Sequence, residues 1–159
     1  MKVRLFQRPV SLITAFGENV RVTPGVLFNF SSALYKENIN LYACSSGEDS
    51  ITFIVDYADE DKAFTVLRNT IKAGPTAFSD LVLRSNKSLI TVDASDLVDT
   101  PGVAHAAISG LAREKINIIE LFSSYGNITI ALDPEYRKRA YDLIVDSLKL
   151  AFKQYLEPD

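Results

Sequence analysis

Residues 23–40 read TPGVLFNFSSALYKENIN, and residues 100–117 read TPGVAHAAISGLAREKIN. The two stretches stand 77 positions apart. They share Thr-Pro-Gly-Val at one end and Ile-Asn at the other. The match continues at that offset without a gap. Ser11-Leu12-Ile13-Thr14 lies over Ser88-Leu89-Ile90-Thr91, Ile51-Thr52 over Ile128-Thr129, Asp56 over Asp133, and Ala63 over Ala140. About 18 identities fall in roughly 61 aligned positions, more than two unrelated stretches of one domain share, so the chain reads as two copies of one unit.

Each copy reads as strand, helix, strand, strand, helix. In the first, Val10 to Ala15 is apolar and β-prone. Thr23 looks like an N-cap and Pro24 like the first helical residue. Val26, Phe30, Ala33 and Leu34 recur at helical spacing and give one apolar face, and Asn38 and Asn40 bracket the turn that follows. Ile39 to Cys44 and Ile51 to Val55 read as strands joined by the polar hairpin Ser45 to Asp49. Ala63, Val66, Leu67 and Ile71 mark a second helix, stopped by Gly74-Pro75. Leu81 to Leu83 is a short closing strand. The second copy has strand Leu89 to Val92, a helix from Pro101, and strands Ile116 to Phe122 and Ile128 to Leu132. A longer helix ends it, with Tyr141, Ile144, Leu148, Phe152 and Tyr155 on one face.

No closing strand remains for the second copy after that helix, but Val3 to Phe6 is a spare strand of the matching type. The expected division is therefore residues 8–85 as a first, inserted unit and residues 1–7 with 86–159 as the second. The fold class is α+β: two ferredoxin-like βαββαβ units, each an antiparallel sheet with helices on one face.

The 159 residues suit two small domains, and 47% hydrophobic content is globular. A net charge of −3 with no Lys/Arg cluster argues against nucleic-acid or anionic-membrane partners. No run is long enough to cross a bilayer, and MKVRLFQRPV lacks a signal peptide's apolar stretch, so the cytoplasm is the expected location. A single cysteine, Cys44, forms neither an intrachain disulfide nor a cysteine zinc cluster; matched to Leu121, it reads as a small buried apolar residue.

No catalytic motif is present, and no cofactor is expected: there is no phosphate loop, nucleophile elbow or metalloprotease helix. His105, the only histidine, lies on a helix face at the position of Phe28 and reads as a surface or packing residue. Asp93, Asp96 and Asp99 read as turn and capping residues rather than a cation site. Three features suit an amino-acid binder. Gly25 and Gly102 stand at helix starts, where backbone N–H groups accept a carboxylate, although a helix start alone also explains them. Asn40 and Asn117 offer donor and acceptor at a strand start, or simply form turns. Glu48, in a polar hairpin, could meet an ammonium group; Tyr125 replaces it in the second copy.

The βαββαβ order, with Thr23-Pro24-Gly25-Val26 and Asn38-Ile39-Asn40 repeated as Thr100-Pro101-Gly102-Val103 and Lys115-Ile116-Asn117, resembles the ACT domain. The nesting of one unit in another resembles the regulatory region of aspartokinases, without their catalytic domain. The resemblance implies a regulatory amino-acid sensor of lysine, threonine or methionine type, acting on a biosynthetic enzyme. At least a homodimer is expected, because small two-layer units leave one sheet face and the sheet edges to be covered, and side-by-side sheet pairing covers both. The resemblance places the effector at an interface between two ACT units. The implied contacts are Val20, Val22, Thr23, Gly25, Val26 and Leu27 in the loop, Asn40, Leu41 and Tyr42 in the strand, and Ser46, Gly47 and Glu48 in the hairpin. The competing expectation is a dimerisation or docking module with no ligand.

Overall fold

The computed structural model describes residues 1–18, 23–73 and 78–153. The strands are β1 (Lys2–Leu5), β2 (Val10–Gly17), β3 (Ala43–Ser46), β4 (Ser50–Asp56), β5 (Phe78–Asp93), β6 (Glu120–Ser124) and β7 (Asn127–Leu132). The helices are α1 (Val26–Lys36), α2 (Glu60–Ala73), α3 (Val103–Arg113) and α4 (Arg137–Phe152). The chain divides into two compact units: Arg8–Asn86, and Met1–Gln7 with Lys87–Asp159. They are called here the inserted and the split unit.

In the inserted unit β2 lies between β4 and the first part of β5, and β3 forms the free edge beyond β4. Alternate residues of β2 and β4 face the helices. Ile13, Ala15, Ile51, Phe53 and Val55 meet Val26, Phe30 and Leu34 of α1 and Ala63 and Leu67 of α2. Phe30 is the wedge: its ring lies 5.2 Å from that of Phe53 and 5.0 Å, edge-on, from that of Phe78. Such offset and edge-to-face pairs add to the area term. In the split unit β7 lies between β5 and β6, and β1 covers the other side of β5, Lys2 opposite Asp93 and Leu5 opposite Ile90. Its core joins Ile90, Val92, Ile128, Ile130 and Leu132 of the sheet to Leu111 of α3 and Ile144 and Leu148 of α4. Gly110 permits close packing of these helices. A Cβ there would lie 2.8 Å from Ser147 Oγ and 3.1 Å from the Leu143 carbonyl.

Both first helices start two residues later than the sequence suggests, at Val26 and Val103 rather than Pro24 and Pro101. Gly25 is the N-cap at φ 82°, ψ −1°, and Gly102 at φ 96°, ψ −2°; a glycine has no side chain of its own to cap the helix. These are third-position angles of a type II turn with proline before the glycine, so Thr-Pro-Gly-Val is a turn leading into a helix and Thr23 is not its cap. Both helices end alike. Asn38 and Lys115 take φ 56°, and the next residue's N–H, from Ile39 or Ile116, reaches back to the carbonyl of Leu34 or Leu111 at 3.0 and 2.9 Å. That is the six-to-one closure of a Schellman ending, and the residues it joins are both in the core.

Other expectations shift. Residues 39–42 and 116–119 are not strand; β3 and β6 start later because the helix ending must first turn the chain. The strands expected at 81–83 and 89–92 are one strand, β5, because every residue between them stays extended except Asn86. Cys44 is exposed rather than buried, because β3 is the edge strand of its sheet. Tyr155 and Gly74-Pro75 lie outside the described residues.

Deleting residues 1–7 removes β1 and leaves one side of β5 without a partner. Hydrogen exchange on the truncated chain is expected to speed up across β5, β7 and α4 while α1 and α2 keep their protection. Loss confined to α1 and α2 would contradict this.

Candidate functional site

The start of α1 is built by its turn. Gly25 ends the left-handed step, and the first helical bond runs from the Asn29 N–H to the Gly25 carbonyl at 2.9 Å. The N–H groups of the first turn therefore have no partner within the helix, and the positive end of its dipole is there. Among the described residues, a Cβ at Gly25 would meet no atom within 4 Å, so the approach from them is open. Val26 turns into the core, and Leu27 is 41% exposed. Val20 and Val22 lie outside the described residues, and Thr23 is half-buried.

The β3–β4 hairpin stands at the same end of the sheet. β2 runs toward it, Phe16 opposite Ser50, and the Gly17 N–H donates to the Asp49 carbonyl at 2.9 Å. Gly47 closes the turn onto the Ser50 carbonyl at 2.8 Å. Ser46, Gly47 and Glu48 are exposed there.

Asn40, Leu41 and Tyr42 lie at the other end. The eleven residues of α1 span about 16 Å, and these three follow its C-terminus. Tyr42 donates its N–H to the Ile54 carbonyl at 2.9 Å, far along β4 from the hairpin. Leu41 packs against the core, and Asn40 is exposed. The sequence-derived set thus falls into two groups within one unit: the helix start with the hairpin, and the Asn40 group about a helix length away.

The sequence reading missed Asp56. Its Oδ2 accepts the Tyr42 hydroxyl at 2.9 Å and lies 3.6 Å from Arg8 Nη1, and its Oδ1 accepts the Ala58 N–H at 3.0 Å. The Ala58 N–H, then the Tyr42 hydroxyl, hold the Asp56 carboxyl below the usual carboxylate range. Burial, then the hydrogen bond to Asp56 and its charge, pushes the Tyr42 phenol up. The identity of Asp56 with Asp133 was the available signal. Among the remaining candidates, Asp93 accepts the N–H and hydroxyl of Ser95, and Asp96 pairs with the Met1 amine at 3.2 Å. No group of three metal-ligating side chains forms among the described residues. His105 is exposed.

The Asp56 pKa is lowered on folding, so its contribution is present above its unfolded value and is lost as pH falls through the folded one. The Tyr42 pKa is raised, so its contribution is present below its unfolded value and is lost as pH rises through the folded one. Tyr42→Phe is expected to cost about 0.5–1 kcal/mol near neutrality, the scale of a solvent-screened charged bond. The difference from the parent shrinks below pH ~4 and above pH ~10, where one partner changes state. Thermal melts across pH read this; a pH-independent difference contradicts it.

Residues 13–71 match the family model of the ACT domain. A search of curated proteins finds no significant match. Among solved structures, the regulatory subunit of aspartate kinase from Thermus flavus superposes with a TM-score of 0.79 at 18% identity, over 93% of this chain and 97% of that one. Aspartate kinase from Synechocystis superposes with a TM-score of 0.77 at 22% identity, over 99% of this chain and 28% of that one. Escherichia coli aspartokinase III in complex with lysine and aspartate gives 0.68 at 19%, over 96% and 33%. Residues 13–71 are thus an ACT-domain match, and nearly the whole chain has the fold of the regulatory subunits and regulatory domains of aspartate kinase.

Proposed function

We propose that the chain is a regulatory module that binds a free amino acid at the start of α1 in the inserted unit. The observation that carries this reading is the helix start at Gly25, open among the described residues, at the same end of the sheet as the exposed hairpin Ser46-Gly47-Glu48. Backbone N–H groups there suit a carboxylate, and Glu48 suits an ammonium group. The similarity to aspartokinase III, whose structure holds lysine, supports an amino acid of lysine, threonine or methionine type. The regulated enzyme would be biosynthetic, of aspartokinase type, and the chain itself non-catalytic. No described helix is long and apolar enough to cross a membrane, and a cytoplasmic location is part of the proposal.

Asn40 and Tyr42 cannot complete the pocket of their own unit, because a free α-amino acid does not bridge the length of α1. They complete it if two copies pair antiparallel along α1, which sets the helix start of one copy beside the Asn40 end of the other. The outer face of α1 suits that pairing: Phe28 and Tyr35 are 70% and 83% exposed, and the stripe through Ser31 and Ser32 carries no charge. The matched positions in α3 are His105 and Ala112, which offer less apolar surface. The same stripe favours a second reading, a dimerisation or partner-docking module without ligand.

A thermal-shift screen of the twenty amino acids separates the two readings, because a ligand of the native state alone raises Tm. The expected result is a rise with one or a few small amino acids. Gly25→Asp abolishes it by placing a negative charge and a left-handed side chain at the carboxylate. Asn40→Ala weakens binding by about 1–3 kcal/mol and leaves the fold intact, while Asn117→Ala has less effect. No rise with any amino acid leaves the docking reading. Sedimentation is expected to show a dimer at micromolar concentration, and Tyr35→Glu to return it to monomer. A wild-type monomer would exclude the shared pocket.

A further inference from the structure

The chain passes between its two units twice, between Gln7 and Arg8 and between Asn86 and Lys87. A side chain at one and the same repeat position reaches each passage. Glu60 heads α2, and Arg137, 77 residues later, heads α4. Glu60 accepts the Ser11 hydroxyl at Oε2 and the Ser85 hydroxyl at Oε1, the latter at 2.9 Å. Ser11 Oγ in turn accepts the Asn86 N–H at 3.3 Å. Asn86 is the left-handed residue inside β5, φ 51°, a conformation that asparagine tolerates better than most. Arg137 Nη2 donates to the Phe6 carbonyl and to Gln7 Oε1, each at 3.2 Å.

The change of charge between the copies follows from what each passage offers. Two hydroxyl donors call for an acceptor-only carboxylate, and two carbonyl oxygens call for a donor-only guanidinium. Helix stability does not explain the arginine, since a cation at a helix N-terminus opposes the dipole.

We infer that Glu60 and Arg137 are latches on the two chain passages, each holding the backbone of its own passage in place while the core of its unit stays folded without it. The test is residue-resolved hydrogen exchange on the full chain without ligand. Glu60→Ala speeds exchange at Asn86 by about tenfold or more, the loss of a charged hydrogen-bond network, while amides of Phe53 and Leu67 keep wild-type rates. Arg137→Ala does the same at Phe6, with Ile130 and Ile144 unchanged. Should either alanine variant unfold, Glu60→Gln and Arg137→Lys, which keep part of the bonding, give the same local pattern at smaller amplitude. Faster exchange spread evenly through a unit, or unchanged exchange at both passages, overturns the assignment.

Discussion

β5 carries a demand that the rest of the chain answers. Its sixteen residues present N–H and C=O groups on both sides, and buried backbone groups must be paired. Its first part borders β2. Its second part has β7 on one side and β1 on the other. A unit of this size has a thin core, so an unpaired strand beside that core would be costly. The N-terminal four-residue strand meets this need, joining Lys2–Leu5 to a segment some ninety positions away in sequence.

The duplication works as an internal control on every local feature. Features kept in both copies belong to the fold. Gly25 and Gly102 share a left-handed angle, and Asn38 and Lys115 end their helices alike. The Gly17 to Asp49 hydrogen bond recurs as Ala94 to Gly126. The Thr14–Thr52 hydroxyl pair recurs as Thr91–Thr129. Features that differ mark what each copy does alone: Phe28 against His105, Tyr35 against Ala112, Glu48 against Tyr125, and Glu60 against Arg137. Each of these pairs involves a surface, a loop or a chain passage rather than the core, so packing does not force them to differ.

The candidate site shows where spacing along a sequence misleads. Gly25 and Asn40 are close in the repeat and look like neighbours. The helix between them is rigid at 1.5 Å per residue, so it separates them while the chain returns along β3. Gly25 and Glu48, farther apart in sequence, share one end of the sheet because antiparallel strands bring the hairpin back to the helix start.

The amino-acid sequence by itself determined the α+β class, the repeat, and the helices and most of the sheet elements, because periodicity, turn residues and duplication are local or self-referential signals. It also carried the turn chemistry: Thr-Pro-Gly reads as a cap by residue type, and the left-handed glycine makes it a turn. Tertiary structure alone decided the rest: that two short strands merge into β5, that Cys44 is exposed at an edge, that Tyr42 meets Asp56 and Arg8, and which groups Glu60 and Arg137 hold. The physical reason is common to all four. Burial at a sheet edge and the pairing of polar groups depend on which distant segments pack together, and single-residue propensities carry no record of those partners.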